Sequence, residues 1–180
     1  MPGRIFAIVG PSGVGKDTLM EGAKAARPDL HMVRRVITRP VAGLGEDFEQ
    51  ATAADFATRQ ANGDFALSWQ AHGLHYGIPR QVIDVLATGQ DAMFNGSRAV
   101  LLKAQEVFPT LRPILITASA ETLAKRLESR GRETQADIAN RLVRSTYAMP
   151  AGLKFDTVKN DGTIDEALVQ LLQHLSLEEV

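Results

Sequence analysis

The sequence predicts an α/β fold of three layers, a parallel sheet with helices on both faces. Three observations predict it. Short apolar runs alternate with helical stretches of about ten residues, the rhythm of β-α-β units. The first run, Ile5–Val9, passes into a glycine-rich turn that opens a helix. The chain has 180 residues, 44% of them hydrophobic, which suits one domain with a single core.

In chain order, Ile5–Val9 reads as a buried strand and 17–26 as a helix stopped near Pro28. A second strand spans 32–38 and breaks at Arg39-Pro40. Residues 41–50 read as a loop rich in glycine and acid. A helix over 53–62 ends at Gly63, and 65–70 with 74–77 form a hairpin around Gly73. Then follow helix 80–88, strand 92–95, helix 98–108, strand 113–117 and helix 120–129. Helix 136–147, strand 155–158 and helix 164–175 complete the chain. The block 41–77 breaks the rhythm and reads as a lobe inserted over the carboxyl edge of the sheet, where such folds bind ligands.

Twenty basic against 21 acidic residues give a net charge of −1, which argues against a general nucleic-acid binder. There is no cysteine, so disulfides, zinc–thiolate sites and thiol nucleophiles are excluded. No run approaches the roughly 18 apolar residues of a membrane span, and the expectation is a soluble cytoplasmic domain with no membrane partner. Arginines outnumber lysines, 14 to six. That bias suits oxyanion recognition by the guanidinium fork; an Ala- and Arg-rich genome produces it equally.

Gly10-Pro11-Ser12-Gly13-Val14-Gly15-Lys16-Asp17-Thr18 matches G-x-x-x-x-G-K, with a strand before and a helix after. Glycines let the backbone wrap with its N–H groups inward, and the helix N-terminus adds positive potential. Lys16 reaches the β- and γ-phosphates of a bound nucleotide. Asp17 stands where Ser or Thr ligates magnesium in this motif, with Thr18 next to it. Either Asp17 is an acid favoured by the helix dipole, or it meets polyphosphate through Mg²⁺, directly or by water. Strand 92–95 ends in Asn95 without the usual metal-side Asp, so Asp17 supplies an anion there on the second reading.

Arg126, Arg130, Arg132, Arg141 and Arg144 crowd around Gly131. One reading is a solvated face paired with Glu121, Glu128, Glu133 and Asp137. The other is a lid that closes arginines onto a transferring phosphate, chemistry that needs chiefly positioning and charge stabilisation.

The 10–18 loop, Thr38-Arg39-Pro40, His72-Gly73-Leu74-His75-Tyr76-Gly77 and Arg126-Leu127-Glu128-Ser129-Arg130-Gly131 together resemble the guanylate kinase family. The likeness continues through Ile138-Ala139-Asn140-Arg141-Leu142 and covers nearly the whole chain. It implies a P-loop kinase fold: a core of 1–40 and 78–180, an acceptor-binding lobe at about 41–77 and an arginine lid at about 130–136. It also implies ATP as co-substrate, held by residues 10–18 and by Asn160 in the loop near the base, with Mg²⁺ at Asp17 and Thr18. By the same likeness Arg39 and Tyr76 hold an acceptor phosphate, while Lys16, Arg126, Arg130 and Arg141 serve the transferring phosphates.

The acceptor-base positions depart from that family. Its guanine-reading Glu falls at Leu67, a small hydroxyl residue at Ile78, a Ser at Arg35, an Asp at Met93 and a phosphate-binding Tyr at Phe48. Burying guanine's polar edge unpaired costs about 1–3 kcal/mol per group, so guanylate kinase activity is not expected. The words Gly15-Lys16-Asp17-Thr18, Arg35-Val36-Ile37-Thr38-Arg39-Pro40, Gly45-Glu46-Asp47, 65–74, Tyr76-Gly77-Ile78-Pro79, Asn95-Gly96-Ser97-Arg98-Ala99 and Gly131-Arg132-Glu133 are instead similar to the ribose 1,5-bisphosphate phosphokinases of phosphonate breakdown. This resemblance implies phosphorylation of ribose 1,5-bisphosphate by ATP to 5-phosphoribosyl 1-diphosphate, with Arg35 or Arg98 on the second anionic end of the acceptor.

An acceptor phosphate oxygen is already anionic near neutral pH, its second pKa being about 6, so no general base is needed. His72 and His75 are then pocket hydrogen-bonders or ordinary polar residues of the hairpin, and Trp69 reads as hairpin core. Two other classes compete: a divergent nucleoside monophosphate kinase, and a non-catalytic scaffold module, which has no need of Lys16 or lid arginines. A GTP switch lacks support, because there is no Asn-Lys-x-Asp motif.

Overall fold

Strand β1 (Ile5–Val9) has no exposed residue, so both of its faces carry core. It lies between β7 (Ala92–Asn95) and β8 (Leu111–Thr117), parallel to each. Strand β2 (His31–Met32) extends the sheet beyond β7 and β9 (Asp156–Lys159) extends it beyond β8, giving the order β2-β7-β1-β8-β9, parallel throughout. The computed structural model describes residues 1–40, 47–129, 134, 136, 140 and 148–176.

The period of two along β1 divides the core. Phe6 and Ile8 face helices α1 (Lys16–Ala26), α5 (Ala120–Ser129) and α6 (Ile164–Ser176), packing with Leu19, Leu123 and Leu171. Ile5, Ala7 and Val9 face α3 (Gln81–Ala87) and α4 (Leu101–Val107), packing with Val82, Leu86 and Ala104. Each of the larger side chains, Phe6, Ile5 or Leu19 for example, contributes about 1.5–3 kcal/mol by leaving water. This is the expected three-layer α/β architecture. No described helix is long and apolar enough to cross a membrane.

One expected strand is two. The run 32–38 divides between sheets: β2 ends at Met32, Val33 N donates to Met93 O (2.9 Å), and β3 (Val36–Ile37) belongs to a second sheet. Arg34-Arg35 cannot continue a strand covered by apolar layers. Arg34 turns outward to Asp47 (3.0 Å), and the chain leaves the first sheet there.

The second sheet runs β4-β3-β6-β5, with β4 (Glu49–Gln50), β5 (Phe65–Ala71) and β6 (Leu74–Pro79). It begins at Val36, earlier than the lobe read from sequence. Helix α2 (Ala53–Ala61), capped by Thr52 Oγ1 accepting from Asp55 N (3.0 Å), covers one face. There Phe56 stacks on Phe65 (4.6 Å between centroids) and meets His75 (5.4 Å). The opposite face turns Leu67 and Ile78 into the main core. The hairpin closes through His72 (φ 52°) and Gly73 (φ 73°), both left-handed as a two-residue type I′ turn requires. His72 is therefore a turn residue, and His75 packs in the lobe. Arg130, Arg132, Arg141 and Arg144 lie outside the described residues, as does most of the expected lid and of helix 136–147.

At the amino edge of the main sheet Asp91, nearly buried, accepts from Arg4 N (2.8 Å), Arg4 Nη2 (2.6 Å) and Arg27 Nη1 (3.3 Å). Arg4 Nη2 also donates to Leu175 O (2.8 Å), tying β1 to the end of α6. Burial pushes the Asp91 carboxyl upward, but the Arg4 hydrogen bonds and the charges of Arg4 and Arg27 outweigh it and hold it below the usual range. A depressed folded-state pKa adds stability above the unfolded value of about 3.9 and loses it as pH falls through the folded value. Asp91→Asn is expected to lower stability at neutral pH by about 2 kcal/mol, less than a fully buried pair because both arginines are about a quarter exposed. Urea midpoints measured from pH 7 to 3 should fall less steeply in the variant, and parallel curves would contradict this account.

Candidate active site

The glycine-rich loop leaves β1 and turns back into α1. Gly13 (φ 82°) and Gly15 (φ 95°) take left-handed conformations, and a Cβ on Gly15 would come within 2.7 Å of Asn160 Nδ2. Only glycine fits there. The first turn of α1 directs its N–H groups out of the helix without intrahelical acceptors, which makes an anion cradle. Lys16 Nζ lies across the rim, donating to Gly10 O (2.7 Å) and Pro11 O (3.3 Å).

Asn160 locks this loop from behind. It is 2% exposed, its Nδ2 donates to Val14 O (2.7 Å) and its N to Thr117 O (2.8 Å). Arg126 closes the same node, with Nη2 donating to Asn160 O (2.8 Å) and Nη1 to Val14 O (3.4 Å). Gly13, Gly15, Thr18, Arg126, Ser129 and Asn160 line an open cleft of about 310 Å³. Asn160 thus reaches the nucleotide side chiefly by shaping the loop. Beside it Asp161 accepts from Ser119 N (2.6 Å) at the start of α5, which lowers its pKa.

Asp17 and Thr18 point apart. Thr18 lines the cleft with Arg126, whereas Asp17 turns to the carboxyl end of β7, where Asn95 Nδ2 donates to its Oδ1 (3.1 Å). Successive helix positions differ by about 100°, so the pair expected at one ion is divided. The donor chemistry at Asp17 fits Mg²⁺: an exposed carboxylate beside the phosphate cradle, with one oxygen held by Asn95. Asn95 was not expected as a site residue, although a polar side chain at the end of the strand next to the P-loop strand was the available signal. Asp17→Asn is expected to raise the magnesium concentration for half-maximal rate several-fold. An unchanged requirement in a magnesium titration would leave Asp17 as a helix-dipole acid.

Of the residues expected to bind an acceptor, the structure brings Arg35 and Tyr76 together. Both are 6% exposed, and the Arg35 guanidinium lies 5.1 Å from the centre of the Tyr76 ring. Arg39 lies over Phe48 (5.5 Å), and Arg98 opens a 3-10 turn (Arg98–Val100) after β7. Leu67 and Ile78 are 2% and 0% exposed within the core. Met93 does not join them: it packs on the other side of the sheet, with α1 and α6. A larger cleft, about 590 Å³, lies behind the lobe among Glu49, Arg59, Asp64 and Arg80, without a P-loop residue.

No protein-family model matches the chain. It is 47% identical over 169 residues to ribose 1,5-bisphosphate phosphokinase PhnN of Ruegeria sp. (strain TM1040), covering 93% of this chain and 89% of the relative. The protein of the same name in Pseudomonas fluorescens (strain SBW25) is 50% identical over 81% of this chain and 77% of its own. Among solved structures, the guanylate kinase of Anaplasma phagocytophilum superposes with a TM-score of 0.68 at 19% identity, covering 97% of this chain and 85% of that one, which supports the fold. A P-loop closed by Arg126, on a parallel sheet with a second, smaller sheet beside it, thus coincides with relatives of this name over most of the sequence: the chain belongs to the ribose 1,5-bisphosphate phosphokinase family of kinases.

Proposed function

We propose that this kinase transfers the γ-phosphoryl group of ATP to the 1-phosphate of ribose 1,5-bisphosphate, forming 5-phosphoribosyl 1-diphosphate and ADP. The observation that carries the reading is that Arg35 and Tyr76 lie together in the second sheet, while Leu67 and Ile78, at the positions of the guanylate kinase family's base-reading groups, are apolar and closed into the core, where they offer a base no hydrogen-bond partner. A sugar with two phosphates needs positive charge there rather than donors and acceptors for a base edge.

The attacking atom is an acceptor phosphate oxygen that carries its own negative charge, so the protein aligns and neutralises. Lys16 and the first-turn N–H groups of α1 hold the β- and γ-phosphates. Arg126 orders the nucleotide end of the cleft, with Arg130 and Arg141 assigned to the transferring group. Arg35, Arg39, Tyr76 and Arg98 hold the acceptor. Asp17, with Asn95 beside it, and Thr18 on the cleft side are the residues that would hold magnesium, which when bound would supply charge neutralisation of the donor phosphates. The product's use in phosphonate catabolism and a cytoplasmic location belong to the same reading.

The test is product analysis with ribose 1,5-bisphosphate and GMP side by side, ATP and magnesium fixed. Formation of 5-phosphoribosyl 1-diphosphate with equimolar ADP is the expected result. Arg35→Ala should raise the acceptor KM about tenfold or more and leave the ATP KM within twofold, as loss of a charged hydrogen-bond donor predicts.

A further inference from the structure

Tyr76 is held on both faces of its ring. In the strand order β3-β6-β5 it occupies the middle strand, with Trp69 directly opposite on β5 and Arg35 just before β3 on the other side. The indole of Trp69 lies 5.2 Å from the Tyr76 ring and 9° from parallel, and the Arg35 guanidinium lies 5.1 Å from the same ring. The three form one column: indole, phenol, cation. Trp69 also packs against the core cluster of Leu67, Ile78 and Val100, so the column stands on a rigid base.

Packing alone gives a weak reason for tryptophan here. Its Nε1 is buried with no hydrogen-bond partner, and a buried orphan donor opposes folding. A phenylalanine would fill most of the same space without that cost. What the indole adds is a broad flat face against Tyr76, which fixes the plane of the phenol and the seat of the guanidinium.

We propose that Trp69 is a positioning residue of the acceptor site, holding Tyr76 and through it Arg35 in the geometry that receives the acceptor phosphate. This rests on Arg35 and Tyr76 being acceptor-binding residues. Ordering them in advance removes the entropy of fixing two long side chains at the moment of binding.

Trp69 is the single tryptophan of the chain, so its emission reports the column directly. Three chains decide the matter: wild type, Trp69→Phe and Trp69→Leu, with thermal melting as a control on folding. Ribose 1,5-bisphosphate should change the wild-type emission saturably, and ATP with magnesium should change it far less. Trp69→Leu should raise the acceptor KM about tenfold with the ATP KM within twofold, and Trp69→Phe, which keeps a stacked ring, should stay within about threefold of wild type.

Unmoved emission in a wild type that turns over ribose 1,5-bisphosphate would overturn the assignment, and so would an unaltered acceptor KM in Trp69→Leu. A Trp69→Phe chain as impaired as Trp69→Leu would overturn positioning by stacking and place the indole N–H on the acceptor. Should Trp69→Leu fail to fold, the wild-type emission and Trp69→Phe still decide. A wild type active on GMP but not on the sugar bisphosphate would defeat the substrate reading instead; the same KM split measured with GMP would then settle Trp69.

Discussion

Lys16→Ala is expected to lower phosphoryl transfer by on the order of 10³-fold while the protein stays folded. The Lys16 ammonium meets the carbonyls of Gly10 and Pro11 at the rim of the cradle and lies outside the core clusters on either face of the sheet. Those two half-buried hydrogen bonds are worth about 1–2 kcal/mol in sum, far less than the whole stability of a domain. The ammonium's contribution to catalysis is a fixed positive charge at the place where negative charge is redistributed between donor and acceptor. ADP formation at saturating substrates, with a thermal melt of the same preparation, separates the two. Near-wild-type turnover would remove the loop from the reaction.

The second large effect is discrimination between acceptors. GMP should be turned over about 10⁴-fold less efficiently than ribose 1,5-bisphosphate, because two or three polar groups of the guanine edge left without partners cost about 1–3 kcal/mol each. Leu67 and Ile78, where the guanylate kinase family has its base-reading groups, are apolar and buried, so that edge would go without partners. Steady-state kcat/KM on both acceptors tests this. Comparable values would make the chain a divergent guanylate kinase, and a Leu67→Glu variant would not repair the deficit, because a carboxylate at that depth costs several kcal/mol to ionise.

The parts that sequence announces are those whose backbone or periodicity admits few alternatives. Gly13 and Gly15 mark left-handed backbone in the cradle, and Ile5–Val9 marks a strand covered on both faces, so the P-loop and the central sheet were legible. Resemblance added the expectation of an acceptor site; of the residues named for it, Arg35 and Tyr76 are neighbours. What stayed hidden depends on contacts far apart in the chain. The one local hint that the run 32–38 changes sheets is the Arg34-Arg35 pair at its centre; Val33 and Val36 on either side are equally apolar, and only their hydrogen-bond partners show that they belong to different sheets. Asn160 likewise does not disclose that its amide ties down Val14 across 146 positions of sequence. Met93 was grouped with Leu67 and Ile78 by correspondence along the chain, yet adjacent residues of a strand face opposite layers, and it went to the other one.

The Arg4 bridge has an engineering consequence. By joining the start of β1 to the last turn of α6 at the amino edge of the sheet, it sets both early and late parts of the chain on the side away from the cradle, which opens at the carboxyl edge. A reporter or second enzyme joined at the exposed turn between α1 and β2, where Arg27 pairs with Asp29 on this same edge, would extend from the back of the molecule. Tandem assemblies built on this scaffold should therefore keep substrate access, provided the linker spares Arg4 and the carbonyl of Leu175.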